Sequence, residues 1–205
     1  MKTETTLHRE QLVHDALQNA MTYEAYATLV NKLASEDKNT GPEITESLAN
    51  YTLLNNKRMQ RWSKKFMLTP EDEDKINAFE SNVTWLVLTE SWCGDAAQTM
   101  PMMEKISAAS DHIDLKVILR DEHLEVMDQF LTNGGRSIPK LIAIDNKTGD
   151  ITGTWGPRPT AATQMAKDYK AKHGSLTPEF KQDLQVWYNK DKGRNTTEDL
   201  LKLLK

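Results

Sequence analysis

Residues 91–107 read SWCGDAAQTMPMMEKIS and follow directly on VTWLVLTE, residues 83–90. The earlier run is short and dense in β-branched, aromatic and aliphatic residues, the profile of a buried strand. The later run supplies a helix from about Asp95 to Ala109. Cys93, the chain's single cysteine, thus falls at a strand-to-helix turn. A cysteine there meets unpaired backbone N–H groups and the positive end of the helix dipole, and both favour thiolate.

Working outward, the pattern alternates. IDLKVIL (113–119) is a second strand, and EHLEVMDQFL (122–131) a helix closed by TNGG, a good C-cap sequence. PKLIAID (139–145) is a third strand, NKTGD (146–150) a hairpin turn and ITGTW (151–155) a fourth strand. Strands separated by helices need crossover connections, whereas a tight turn makes the last pair antiparallel. The expected core is a mixed four-stranded sheet with helices on both faces.

Helices flank this core. Leu12, Ala16, Ala20, Tyr23, Ala27 and Val30 share one face of a first helix, which EDKNTGPE (36–43) ends. Leu48, Tyr51, Met59, Trp62 and Phe66 mark a second, whose Lys57, Arg58, Arg61, Lys64 and Lys65 read as a solvated face. LTPE occurs twice, at 68–71 and 176–179; each threonine suits an N-cap and each proline the first helical position. Further helices are expected at about 158–173, 178–190 and in TTEDLLKLLK (196–205). The organisation is a helical extension (1–80), an α/β domain (81–173) and C-terminal helices packed on it (174–205).

Composition narrows the function. The formal net charge is −4, which argues against a nucleic-acid-binding chain. One cysteine leaves no internal disulfide framework and no cysteine-based zinc cluster. No histidine pair has ligand spacing, so no metal and no cofactor is expected. The N-terminus lacks the apolar region of a signal peptide, and no run approaches the roughly 18 apolar residues of a membrane span. A soluble, cytoplasmic protein is expected.

Two motifs carry a resemblance. SWCGDAAQTMPMMEKIS resembles the active-site helix of the thioredoxin family, whose signature is W-C-G-P-C, and Pro101 stands where that family kinks the helix. GGRSIPKLIAI (134–144) resembles the family's second signature, whose proline is cis and faces the active-site cysteine. The resemblance covers about residues 80–173, with Gly156 after the hairpin in the expected order, and the wording of the motifs resembles a thioredoxin-like subfamily found in bacteria. It implies a thioredoxin fold, a cis Ile138–Pro139 bond, and Cys93 as the reactive residue. Trp92 would shield the site, Gly94 would let a substrate backbone come close, and the Ile138–Pro139 edge would pair with an extended peptide.

The departures matter as much. Ala96 replaces the resolving cysteine, Asp95 the motif proline, and Val87 the acid that the family buries beneath its site. Cys93 therefore cannot close an internal disulfide. Glu90 is a candidate proton carrier, and Arg120 and Arg136 are expected in loops on the same edge as Cys93. The Asp95 carboxylate would oppose the helix effect, so the expected thiol pKa is only modestly lowered, to about 7–8. Two functions fit. One is a monothiol redox protein whose Cys93 exchanges with a protein or small-molecule disulfide and is resolved by an external thiol. The other is a non-catalytic module that binds an extended peptide or partner protein at the cis-proline groove. A structural subunit dimerising through its helical extension is a third role.

Overall fold

The computed structural model describes residues 2–204. β2 (Val83–Thr89) is buried along its whole length, as its unbroken apolar run requires. It pairs parallel with β3 (Ile113–Leu119) and antiparallel with β4 (Lys140–Asp145), which turns back antiparallel into β5 (Ile151–Trp155). The turn is held by Asp145, whose Oδ1 accepts from the backbone N–H groups of Lys147 and Thr148. Trp85, Leu86, Val87 and Leu88 are fully buried and form the centre of the core.

The sheet has one strand more than expected. β1 (Met21–Thr22) lies antiparallel on the outer edge of β3, with Met21 opposite Val117, and the order is β1-β3-β2-β4-β5. The single helix expected over residues 12–30 is accordingly two, α1 (Glu4–Leu17) and α2 (Tyr23–Ser35). Thr22 explains the break: its hydroxyl accepts from the Ala25 N–H and caps α2, while its backbone stays extended. The apolar spacing runs on across the gap because both helices turn the same side to the core. The short strand also covers a β3 edge that would otherwise be open.

α3 (Glu46–Lys65) and α4 (Pro70–Asn77) complete the extension, α4 starting in a full capping box between Thr69 and Asp72. α5 (Gly94–Ser107) follows β2 and packs on α3. The helix expected over 122–131 shrinks to a 3-10 turn at Arg120–Glu122 and one α-turn, α6 (Leu124–Met127). After β5 come α7 (Thr160–His173), α8 (Pro178–Asp191) and α9 (Arg194–Leu201). α7 and α8 join through Ala162, Ala166, Phe180, Leu184 and Tyr188, and α9 packs on α4, α5 and α7. Among the described residues no helix is long and apolar enough to cross a membrane.

Candidate functional site

Cys93 is the N-cap of α5, placed there by the end of β2 and the Glu90–Trp92 loop. Its sulfur accepts from the Ala96 N–H at 3.5 Å, as a residue at a helix start does. It also lies 3.3 Å from the carbonyl oxygen of Ile138. A carbonyl can only accept, so this contact requires a thiol proton, which Cys93 donates. Ile138–Pro139 is cis, and its loop lies directly against the cysteine. A second cis bond, Gly156–Pro157, closes the same region and had no signal in the motif reading. Gly156 has φ of +112°, and a Cβ there would lie 2.1 Å from the Pro139 carbonyl oxygen. Only glycine lets these two loops meet.

The thiol is buried, with 8% of its residue surface exposed. Burial, then the Asp95 carboxylate, push its pKa up to about 12, against the weaker pull of the Ala96 and Asp95 N–H groups and of Arg158. This reverses the modest lowering expected from the sequence. Desolvation outweighs the helix terminus, and the Ile138 carbonyl favours the protonated form.

Asp95 does not point into solvent as a simple helix-start acid. It is buried, accepts from the Tyr188 hydroxyl at 3.0 Å and pairs with Arg158 at 2.8 Å. Burial raises its pKa, and Arg158 and Tyr188 counter the rise. Neither partner was a candidate from sequence, because both come from beyond the two motifs. Gly94, expected to leave room for a substrate backbone, instead sits beneath two side chains. A Cβ there would lie 3.5 Å from Arg58 Nη1 and 3.6 Å from Gln185 Nε2.

Glu90 faces another way. One carboxylate oxygen accepts from the Asp121 N–H at 2.9 Å and the other from the Thr40 hydroxyl. Burial raises its pKa, and these two donors oppose the rise. Among the described residues no hydrogen bond joins its carboxylate to Cys93; the link between the two residues is the backbone, where the Cys93 N–H donates to the Glu90 carbonyl at 3.0 Å. It belongs to a buried network in which Thr40 and Ser91 exchange bonds through hydroxyl and backbone N–H, at 2.8 and 2.9 Å. Asn55 donates to the Ser91 carbonyl at 2.9 Å, and the Trp92 indole donates to the Thr40 carbonyl at 3.2 Å. The extension thereby fixes the loop that carries Trp92 and Cys93.

The comparisons with known proteins fit this arrangement. A thioredoxin family model matches residues 41–170. The chain belongs to the thioredoxin family. The match begins inside the helical extension and ends within α7, so it takes in β2 to β5, Cys93 and both cis bonds. No curated protein matches. Two solved structures share the fold. One is a protein of unknown function, PA1234, from Pseudomonas aeruginosa, at 18% identity and TM-score 0.58, covering 73% of this chain and 83% of that one. The other is an HIV epitope-scaffold of the 4E10 series, at 15% identity and TM-score 0.58, covering 89% of this chain and 97% of that one.

Around the thioredoxin cysteine the extension and the C-terminal helices build walls. A cleft of about 600 Å³ opens over Cys93, Trp92 and Ile138, with Leu48, Tyr51 and Arg58 of α3 on one side. Lys181, Leu184 and Gln185 of α8 stand on the other. Arg120 and Arg136 line the same cleft, and the Arg120 guanidinium lies 4.9 Å over the Trp92 ring. Of the sequence candidates, Trp92, Cys93, Gly94, Asp95, Arg120, Arg136 and Ile138 line this cleft, whereas Pro139 and Glu90 do not. Arg58, Arg158, Lys181 and Tyr188 join them unannounced. Among the described residues no group of His, Cys, Asp and Glu could hold a metal ion.

Proposed function

We propose that this thioredoxin-family chain is a binding module whose ligand occupies the cleft over Cys93 without covalent exchange. The observation that carries the reading is the contact between the Cys93 thiol and the Ile138 carbonyl. It spends the cysteine's proton and one backbone acceptor of the cis-proline edge on each other. The chemistry around it points the same way. Exchange needs a thiolate that a substrate sulfur can reach, and this sulfur is buried and protonated over the ordinary pH range. Turnover also needs a second sulfur, and Ala96 stands in its place. Asp95, the nearest carboxylate, is engaged by Arg158 and Tyr188.

Alkylation of the native protein by iodoacetamide, followed by mass spectrometry from pH 6 to 10, tests this. Cys93 should resist modification below about pH 9 and react readily once the chain is unfolded in urea. Fast native modification at pH 7 would overturn the reading. It would favour the second one, monothiol exchange with an external resolving thiol, which one observation supports: Cys93 lines the cleft.

A further inference from the structure

We propose that the ligand of this cleft is a small molecule with an apolar body and a carboxylate or phosphate group, the anionic group being received by Arg58 and Lys181. The inference rests on the binding reading above and names its ligand class. Five cationic side chains line the cleft: Arg58, Arg120, Arg136, Arg158 and Lys181. Three are neutralised. Arg158 is paired with Asp95 at 2.8 Å, Arg120 with Asp121 at 2.7 Å, and Arg136 with Asp128 at 2.7 Å. Among the described residues Arg58 and Lys181 have no carboxylate within ion-pair distance. The half-buried Arg58 guanidinium has only the Asn55 amide oxygen, at 2.8 Å. Burial, then Arg61, lower its pKa, and Tyr51 and the Asp95 carboxylate offset this only in part, so its charge sits at a cost that an anion would relieve.

This excess runs against the chain as a whole, whose formal charge is −4. Its position is also specific. Arg58 from α3 reaches over Gly94 and Lys181 lines the same cleft from α8, so an anion held by both would bridge the extension to the C-terminal helices. Trp92, Leu48, Tyr51 and Leu184 supply apolar surface in the same space. A volume of about 600 Å³ suits a small molecule. An extended peptide pairing along the cis-proline edge is disfavoured, since the Ile138 carbonyl already accepts from Cys93.

The test is a titration of the native full chain, ¹⁵N-labelled, with phenylacetate, phenyl phosphate and the neutral phenylacetamide. The Gly94 amide and the Trp92 indole N–H are the readouts. Both acids should shift these signals at millimolar concentrations, with an affinity that falls as salt is raised, and phenylacetamide should not. The tighter of the two identifies the anionic group. Replacing Arg58→Gln and Lys181→Gln together should weaken binding about tenfold or more, and Arg58→Lys should retain much of it. The proposal is overturned if neither acid binds, if phenylacetamide binds as well as phenylacetate, or if the double variant with an unchanged melting curve binds as tightly as the parent. Equal binding of the neutral probe would sink the anion inference and leave the binding reading standing. Rapid alkylation of Cys93 at neutral pH would sink the binding reading whatever the titration gives.

Discussion

Replacing Cys93→Ser should abolish a specific alkaline weakness of the fold. The parent thiol has its pKa pushed from an ordinary 9.0 up to about 12 by burial and by Asp95. Between these values the native state keeps a proton that the unfolded chain has released, so the native state binds more protons and stability falls as pH rises. Well below pH 9 the thiol is protonated in both states and contributes no slope. At pH 10, one unit above the unfolded value, the loss is between about 1 and 2 kcal/mol. That figure barely depends on how far the native pKa lies above 11, since the native thiol is then almost wholly protonated at pH 10. Serine keeps a donor for the Ile138 carbonyl and does not titrate in this range. Tyr23, Tyr26 and Tyr188 also have pKa values raised by burial and will destabilise both proteins at high pH. The measured quantity is therefore a double difference: urea unfolding at pH 8 and at pH 10, parent against Cys93→Ser, with m-values checked for constancy. A parent that loses no more stability than the serine variant would show that the native thiol ionises like a free one, and the burial account of the site would fall.

Four other changes probe the scaffold. Tyr188→Phe removes the hydroxyl donor to Asp95 and should cost about 1.5–3 kcal/mol in urea unfolding, less if water enters the gap. Thr40→Val should cost about 2–4 kcal/mol, because it strips a partner from both the Ser91 N–H and the Glu90 carboxyl; a neutral effect would show that this network contributes no net stability. Gly156→Ala drives a methyl group into the Pro139 carbonyl and should cost more than about 3 kcal/mol or prevent folding, judged by circular dichroism and thermal melting. Thr69→Ala opens the α4 capping box and should lower stability by about 1 kcal/mol, measured by the urea midpoint.

Much of the fold was legible in the sequence because its signals are local. A continuous apolar run must be a buried strand, TNGG must end an element, and an NKTGD turn must reverse the chain. The misses have equally physical causes. Met21–Thr22 is two residues long, too short for any period to register, and forms only because β3 offers an edge. Residues 122–131 carry helical spacing, yet only Leu124–Met127 closes as an α-helix. At the site, Cys93, Trp92, Ile138 and Pro139 were readable because two local motifs bring them together. Arg158 and Tyr188 were not, since their roles depend on a cis bond at Gly156–Pro157 and on the docking of α8, neither of which leaves a local pattern. Arg58 was misread for a related reason. A run of five basic residues on one helix looks like a solvated face, and only the packing of α3 on α5 turns one of them inward.

The same packing explains why a thioredoxin cysteine can sit here as a protonated thiol. A helix start lowers a thiol pKa only while water or a cationic group can accommodate the resulting charge. In this chain Cys93 is buried at that helix start, below a cleft walled by α3 and α8, so the charge that would form is poorly solvated. Asp95 is paired with Arg158, and burial and Asp95 together outweigh the pull of Arg158 on the sulfur. The negative charge at the base of the cleft is thus already assigned to a carboxylate, and the positive charges left over lie above it, on α3 and α8. Restoring a resolving cysteine at position 96 alone would change none of these terms. Ala96→Cys should therefore leave insulin reduction with dithiothreitol far below a thioredoxin's rate, whereas Ala96→Cys combined with Asp95→Asn frees Arg158 to face the sulfur and should raise the rate. Equal, thioredoxin-like activity of Ala96→Cys with and without the Asp95 change would show that burial and Asp95 do not control the thiol.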